Sequence, residues 1–174
     1  MPNNKLSHFV YEPHNHKQCI KTALKQAQAV CSAHSVKLTP MREKVLGIIW
    51  QSHKPLGAYD ILALLSEPPG KIIAPPTVYR ALEFLISQGL IHKIESLNAF
   101  IGCSSPDDKH LSQFLLCRQC GIALEMASGS VAAAIQDNAA HYGFHIDNET
   151  IEISGLCHPC QNQPDPNYKD VPES

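Results

Sequence analysis

The chain has 174 residues, of which 44% are hydrophobic and 17% charged, as in an ordinary globular protein of one domain or two small ones. It has no run of about 18 apolar residues, and no shorter apolar run follows Met1, so we predict no membrane span, no signal peptide and a cytoplasmic protein. The net charge of −2 divides unevenly: residues 1–99 carry 11 Lys and Arg against 6 Asp and Glu (+5), and residues 100–174 carry 3 against 10 (−7). This asymmetry predicts a basic N-terminal module, compatible with nucleic-acid binding, joined to an acidic C-terminal one.

Residues 1–15 are polar and aperiodic, and we predict that they form a flexible arm. The first helix is predicted over residues 16–34, because apolar residues recur there every three or four positions. This pattern places Cys19 and Cys31 in the helix. We therefore interpret both as helix residues and not as metal ligands.

Two further helices are predicted before residue 70. One begins at Thr39-Pro40, where Thr39 is expected to cap free amides and proline suits the first helical position. The next follows Gly57 and ends where Pro68 and Pro69 interrupt the pattern, since proline cannot continue a helix.

The fourth predicted helix begins near Pro75-Pro76 and ends at Gly89, a residue that favours the left-handed conformation at helix C-termini. Its apolar positions face the core, and the opposite face carries polar side chains with an aromatic ring and an arginine. Such a face is typical of a helix that reads a DNA groove. The outward residues are Thr77, Tyr79, Arg80 and Glu83.

A two-stranded hairpin is predicted from residues 90–95 and 100–103. Three helices followed by a hairpin are typical of a winged-helix DNA-binding domain, which we assign to residues 16–103. In that fold the last helix enters the major groove and the hairpin lies beside the duplex.

The second half follows a polar linker at residues 104–109. Strands are predicted at residues 114–116, 122–126 and 150–153, with a helix between the last two, so residues 110–162 form a small α/β domain. Residues 163–174, rich in Pro and Asp, are predicted to be disordered. The expected fold class is α+β.

Two Cys-x-x-Cys pairs mark the second domain, Cys117 with Cys120 and Cys157 with Cys160. Four thiolates in two tight turns suit a tetrahedral zinc ion, so we predict a structural zinc site. The 36 residues between the pairs exceed the ~15 to 20 of a simple zinc ribbon, and a structural unit is expected between them. Disulfides and a thioredoxin-like redox pair are the alternatives.

Taken together, three sequence features and the two cysteine pairs resemble the ferric uptake regulator family over roughly residues 20–162. The features are Leu38-Thr39-Pro40-Met41-Arg42, the run Thr77-Val78-Tyr79-Arg80-Ala81-Leu82, and Gly89-Leu90-Ile91-His92. The resemblance implies a homodimeric repressor that joins through its second domain and binds an inverted-repeat operator in double-stranded DNA.

The resemblance also implies a regulatory metal site near the hinge between the domains. Zinc-responsive members of the family are expected to use a wing histidine, a following cysteine, a histidine before the first cysteine pair and a glutamate after it. The corresponding residues are His92, Cys103, His110 and Glu125. Two zinc ions per chain are therefore expected, one structural and one regulatory. A single histidine at residues 108–111, where iron-responsive members carry several, argues against an iron sensor.

The expected function is zinc-responsive repression of zinc uptake and homeostasis genes. Arg80 is the candidate for a guanine contact and Tyr79 for a thymine methyl, with Tyr59 and Thr77 near phosphates. The alternatives are a related iron, manganese, nickel or peroxide sensor, and a zinc-ribbon interaction scaffold. We expect no enzyme, because a zinc deaminase would need a His-x-Glu motif, which the sequence lacks. The remaining histidines of the second half are interpreted as ordinary surface or packing residues, with a third, weaker metal site as the alternative: His141, His145 and His158.

Overall fold

The structure is a computed structural model that describes residues 15–66, 73–106, 112–126, 129–147 and 149–162. The predicted arm before Asn15, residues 107–109 of the predicted linker, His110 and the predicted tail lie outside these ranges. The fold is α+β, as predicted. Within the described ranges, no helix has both the length and the hydropathy that crossing a bilayer requires.

The N-terminal half contains four helices and a small sheet. In chain order these are α1 (His16–Ala33), α2 (Pro40–Ile49), β1 (Leu56–Gly57), α3 (Ala58–Leu65), α4 (Pro75–Ser87), β2 (Ile91–Ile94), a 3-10 turn (Glu95–Leu97) and β3 (Ala99–Gly102). The predicted helices agree with these bounds to within a few residues. The two-residue strand β1 was not predicted, because a segment so short has no periodicity.

The four helices share one apolar core. Ala27 of α1, Val45 of α2, Ile61 of α3 and Leu85 of α4 are all fully buried. The prediction that Thr39 caps α2 with its side chain is wrong, since no such hydrogen bond forms. Pro40 has no N–H to cap, and the Thr39 carbonyl accepts the first backbone bond of the helix.

The hairpin of β2 and β3 belongs to a three-stranded antiparallel sheet with strand order β1-β3-β2. Asn98 makes its turn in the left-handed conformation, with φ 46°. Gly102 lies against Trp50: a Cβ on this glycine would approach the indole to 2.2 Å. Any side chain at residue 102 would therefore displace the indole or the strand that leads into Cys103.

The C-terminal half contains a second three-stranded sheet, of order β5-β4-β6. Its elements are β4 (Ser112–Cys117), β5 (Ala123–Glu125), α5 (Gly129–His141), β6 (Thr150–Gly155) and a short α6 (His158–Gln161). Strand β4 pairs antiparallel with β5 and parallel with β6. A parallel pair needs a long crossover connection, and α5 lies in that crossover.

Large apolar side chains remain exposed on this second half. Leu115 and Ile153 are register partners on β4 and β6, and both are more than a third exposed. Tyr142 and Phe144, just after α5, are 87% and 68% exposed, and α5 contributes no buried residue. A single chain therefore leaves an apolar surface uncovered, as a subunit interface would.

Candidate metal centres and nucleic-acid interface

Four cysteine side chains meet at one end of the second sheet, with their sulfur atoms within 4.8 Å of one another. Cys117 and Cys120 lie at the end of β4, and Cys157 and Cys160 lie around the start of α6. They meet because β4 and β6 are parallel neighbours, so both strands end at the same edge. The 36 intervening residues are thus occupied by β5, α5 and β6. All seven cysteines lie within the described ranges, and none forms a disulfide.

The four sulfurs suit a tetrahedral ion. Cys120 Sγ lies 3.6 Å from Cys157 Sγ, and zinc with bonds of ~2.3 Å would hold its sulfurs about 3.8 Å apart. Burial raises the pKa of the Cys117 thiol, but the amides of Cys120, Cys157 and Gln119 outweigh it and lower the pKa to about 6. Burial and the neighbouring sulfurs raise the pKa of Cys160 to about 12. A bound cation would favour the thiolate at all four positions.

A second group of ligands lies where the hairpin meets the second sheet. His92 is opposite Ile101 in the register of β2 and β3, and Cys103 follows Ile101 by two positions, so all three side chains share one face. This face packs on β4 and β5 through an apolar cluster. The cluster consists of Ile94, Ile101, Phe114, Ala123 and Leu116.

At this junction His92, Cys103 and Glu125 bring their ligand atoms within 4.8 Å of one another. His92 Nε2 lies 2.8 Å from Glu125 Oε1, and the His92 ring stands edge-on to Phe114 with centroids 5.4 Å apart. Cys103 is buried, and its N–H donates to the Leu90 carbonyl at 3.1 Å. Three of the four predicted regulatory ligands are thus brought together, while His110 lies outside the described residues.

The environment of Glu125 keeps this carboxylate ionised. The N–H and the hydroxyl of Ser104 both donate to its Oε2, at 3.1 and 2.7 Å. Burial raises the pKa of Glu125, but the hydrogen bond and charge of His92 and the bonds from Ser104 outweigh it and lower the pKa to about 2. An imidazole, a thiol and an ionised oxygen form a ligand set that zinc accepts.

A second polar link joins the halves at the hairpin turn. Glu152 on β6 accepts from the N–H groups of Glu95, at 2.6 Å, and Ser96, at 3.2 Å. Burial raises the pKa of Glu152, but the side chain of Ser96 and these two amides outweigh it and lower the pKa. The carboxylate holds the hairpin turn against β6. Phe114 is the register partner of both Glu125 and Glu152, so the two carboxylates lie on the same face of the second sheet.

The predicted DNA-reading helix presents the expected face. Val78, Leu82 and Leu85 of α4 are buried, whereas Tyr79 is 42% exposed and Arg80 is exposed. The other predicted contacts are Thr77, half-buried, and Tyr59 on α3, 71% exposed. The helix is anchored to α2 by the Arg42 guanidinium, 3.4 Å above the Phe84 ring.

Sequence reasoning missed a third group of ligands, formed by His16, Cys19 and His53. The interpretation of Cys19 as a helix residue agrees with its place in α1 but overlooked what its side chain meets. The His-x-x-Cys spacing was the available signal, because residues three apart share a helix face. Among the described residues, His141, His145 and His158 belong to no such group, and the His145 side chain is 92% exposed.

The fold and these sites define a class: a winged-helix protein whose second domain carries clustered side chains that could hold metal ions. The model of the ferric uptake regulator family matches residues 33–154. This chain therefore belongs to the ferric uptake regulator family, as the sequence motifs predicted.

Similar proteins include the zinc uptake regulation protein of Escherichia coli (strain K12), 39% identical over 147 residues that cover 83% of this chain and 84% of the relative. A crystal structure of holo XcZur matches with a TM-score of 0.74 and 37% identity, over 82% of this chain and 98% of that one. A crystal structure of apo XcZur is 38% identical over 82% of this chain and 97% of that one, and its TM-score is lower, at 0.50. A structure of a zinc uptake regulator complexed with zinc and DNA matches with a TM-score of 0.73 and 36% identity, over 86% of this chain and 97% of that one.

Proposed function

We propose that this chain is a zinc-responsive, DNA-binding repressor of zinc uptake genes. The main support for this function is the position of His92, Cys103 and Glu125, which lie together at the contact between the hairpin and the second sheet. An ion bound by these three residues restricts the angle between the DNA-reading helix and the dimerisation surface. The similar proteins that are named for zinc uptake, one of them complexed with DNA, support this function.

Two zinc ions per chain are part of the proposal. Cys117, Cys120, Cys157 and Cys160 hold the structural ion, whose binding also stabilises the fold. His92, Cys103 and Glu125, with His110 as the fourth ligand, hold the regulatory ion. Sulfur and nitrogen ligands, together with a carboxylate, distinguish this set from the oxygen-rich sites that suit magnesium or manganese.

The proposed domains are residues 16–103 for DNA binding and 110–162 for dimerisation, joined by residues 104–109. The exposed pair Leu115 and Ile153 lies in the surface that a second copy covers. The higher TM-score against holo than apo XcZur, at nearly equal identity, supports a description of this structure as the DNA-competent arrangement. Zinc binding at the hinge then stabilises this arrangement over others.

On DNA, the proposed homodimer places one α4 in each half of an inverted repeat. Arg80 reads guanine through two hydrogen bonds, and Tyr79 contacts a thymine methyl. Tyr59 and Thr77 lie beside phosphates, where they set the register of the protein on the duplex.

Arg80→Ala is expected to weaken operator binding by ~1 to 3 kcal/mol and to lower the preference for operator over scrambled DNA, because the guanine contact is lost. Fluorescence anisotropy with both duplexes at one salt concentration measures the change. Lys25→Ala, which removes an exposed positive charge from α1, is the matched control and should leave the preference unchanged. An Arg80→Ala variant that discriminates as well as the parent would remove Arg80 from this role.

The function itself is tested by metal content and DNA binding of the same sample. Chelator treatment should remove the regulatory zinc at the hinge and retain the structural zinc of the four cysteines. Operator binding should then be lost, and added zinc should restore it. Iron, manganese and nickel are tested in parallel. If one of them restores operator binding better than zinc does, the chain is a sensor for that metal. If operator binding is the same with and without every metal, the proposed function is rejected.

A further inference from the structure

The group formed by His16, Cys19 and His53 lies on the N-terminal half, in neither of the sites assigned above. One ligand atom from each residue lies within 4.8 Å of the other two. The two imidazole rings have centroids 5.1 Å apart and planes inclined by 55°. All three residues are half-buried. The group is therefore partly shielded from solvent and still accessible to an ion.

Two separate segments build this group. His16 is the first residue of α1 and Cys19 lies one turn later, so both side chains project from the same face of the helix. His53 comes from the loop after α2. The Ser52 hydroxyl accepts the Lys54 N–H at 3.0 Å, which holds the loop closed around His53.

We propose that His16, Cys19 and His53 form a third metal site that binds zinc. Two imidazole nitrogens and one thiolate are ligands that zinc prefers, and three protein ligands leave the fourth tetrahedral position to water. Zinc bonds of ~2.0 to 2.3 Å hold neighbouring ligand atoms about 3.3 to 3.8 Å apart, so small side-chain rotations close the site. With only three protein ligands, this site fills after the other two.

The position of the site connects it to the hinge. The His53 carbonyl accepts the N–H of Ala123 at 3.0 Å, and Ala123 lies on β5 two residues before Glu125. An ion at the site links the start of α1 to this loop through the His53 side chain. The Ala123 N–H links β5 to the same loop through the His53 carbonyl. The third site therefore stabilises the same contact between the two halves that the hinge ligands span.

The test counts zinc in the full-length protein. Samples are equilibrated at a series of free zinc concentrations, and zinc per chain is measured by mass spectrometry. Cys19→Ala and His53→Gln should each saturate with one zinc fewer than the parent. His145→Gln, which removes a 92% exposed histidine, is the matched control and should saturate like the parent. Equal zinc counts in the parent and in both site variants would overturn the proposal.

A spectroscopic test identifies the thiolate directly. In Cys103→Ser protein whose four-cysteine site retains zinc, added cobalt should give a thiolate-to-cobalt charge-transfer band, and Cys19→Ala should remove that band. A band that survives Cys19→Ala contradicts the assignment. These readouts do not depend on DNA binding, so loss of one zinc in Cys19→Ala supports the third site even if the chain fails to respond to zinc on DNA.

Discussion

Cys117→Ser is expected to abolish the stable dimer. Structural zinc in small domains contributes ~10 to 16 kcal/mol of apparent binding energy, comparable with the whole free energy of unfolding of a domain, about 5 to 15 kcal/mol. Removing one of four thiolates from the site at the ends of β4 and β6 therefore exposes the C-terminal half to unfolding. Analytical ultracentrifugation and zinc analysis should show monomer or aggregate with the structural zinc lost.

Cys31→Ala is the matched control for that variant. Cys31 is also a buried cysteine, 2% exposed, but it lies in the helical core and belongs to none of the ligand groups found among the described residues. Removing its sulfur should cost about 1 kcal/mol, as for other small truncations in a core, and leave the dimer intact. A stable dimer in Cys117→Ser would instead count against the four-cysteine site as a structural centre.

Cys103→Ser is expected to leave a folded dimer that no longer responds to zinc on DNA. A hydroxyl is a poor substitute for a thiolate at zinc, so the hinge site loses a ligand while the four-cysteine site stays intact. A complete switch between 1:99 and 99:1 requires ~10⁴-fold differential affinity, so operator affinity in excess zinc should fall toward that of the zinc-free parent. Gel-shift titrations with and without zinc measure this loss.

Two observations separate a regulatory from a structural role for Cys103. Circular dichroism and sedimentation of Cys103→Ser should match those of the parent, with one zinc fewer per chain. If the variant unfolds, Cys103 is structural, since its sulfur is fully buried beside His92 and Glu125. In the parent, operator DNA should tighten zinc binding by the same factor by which zinc tightens DNA binding, because coupling is reciprocal.

Local sequence signals sufficed for the helices and the hairpin. Apolar spacing predicted α1 to α4, Pro75-Pro76 and Gly89 marked the ends of α4, and the winged-helix fold followed from their order. Thr39 shows the limit of this reasoning: residue type indicated a side-chain cap, but the helix began without one. Strand β1 was missed because two residues carry no pattern. Its pairing with β3 places Leu56 opposite Phe100, a residue far along the chain.

The chain's residues alone determined that four cysteines in two pairs could hold zinc and that a basic half precedes an acidic one, because spacing and charge are local properties. Only the tertiary structure decided where the pairs meet, since the parallel pairing of β4 and β6 brings both to one sheet edge. It also decided that His92 and Cys103 face Glu125 across the junction, and that Cys19 lies beside His53. Those contacts depend on strand register and helix packing between distant segments, which no local pattern encodes.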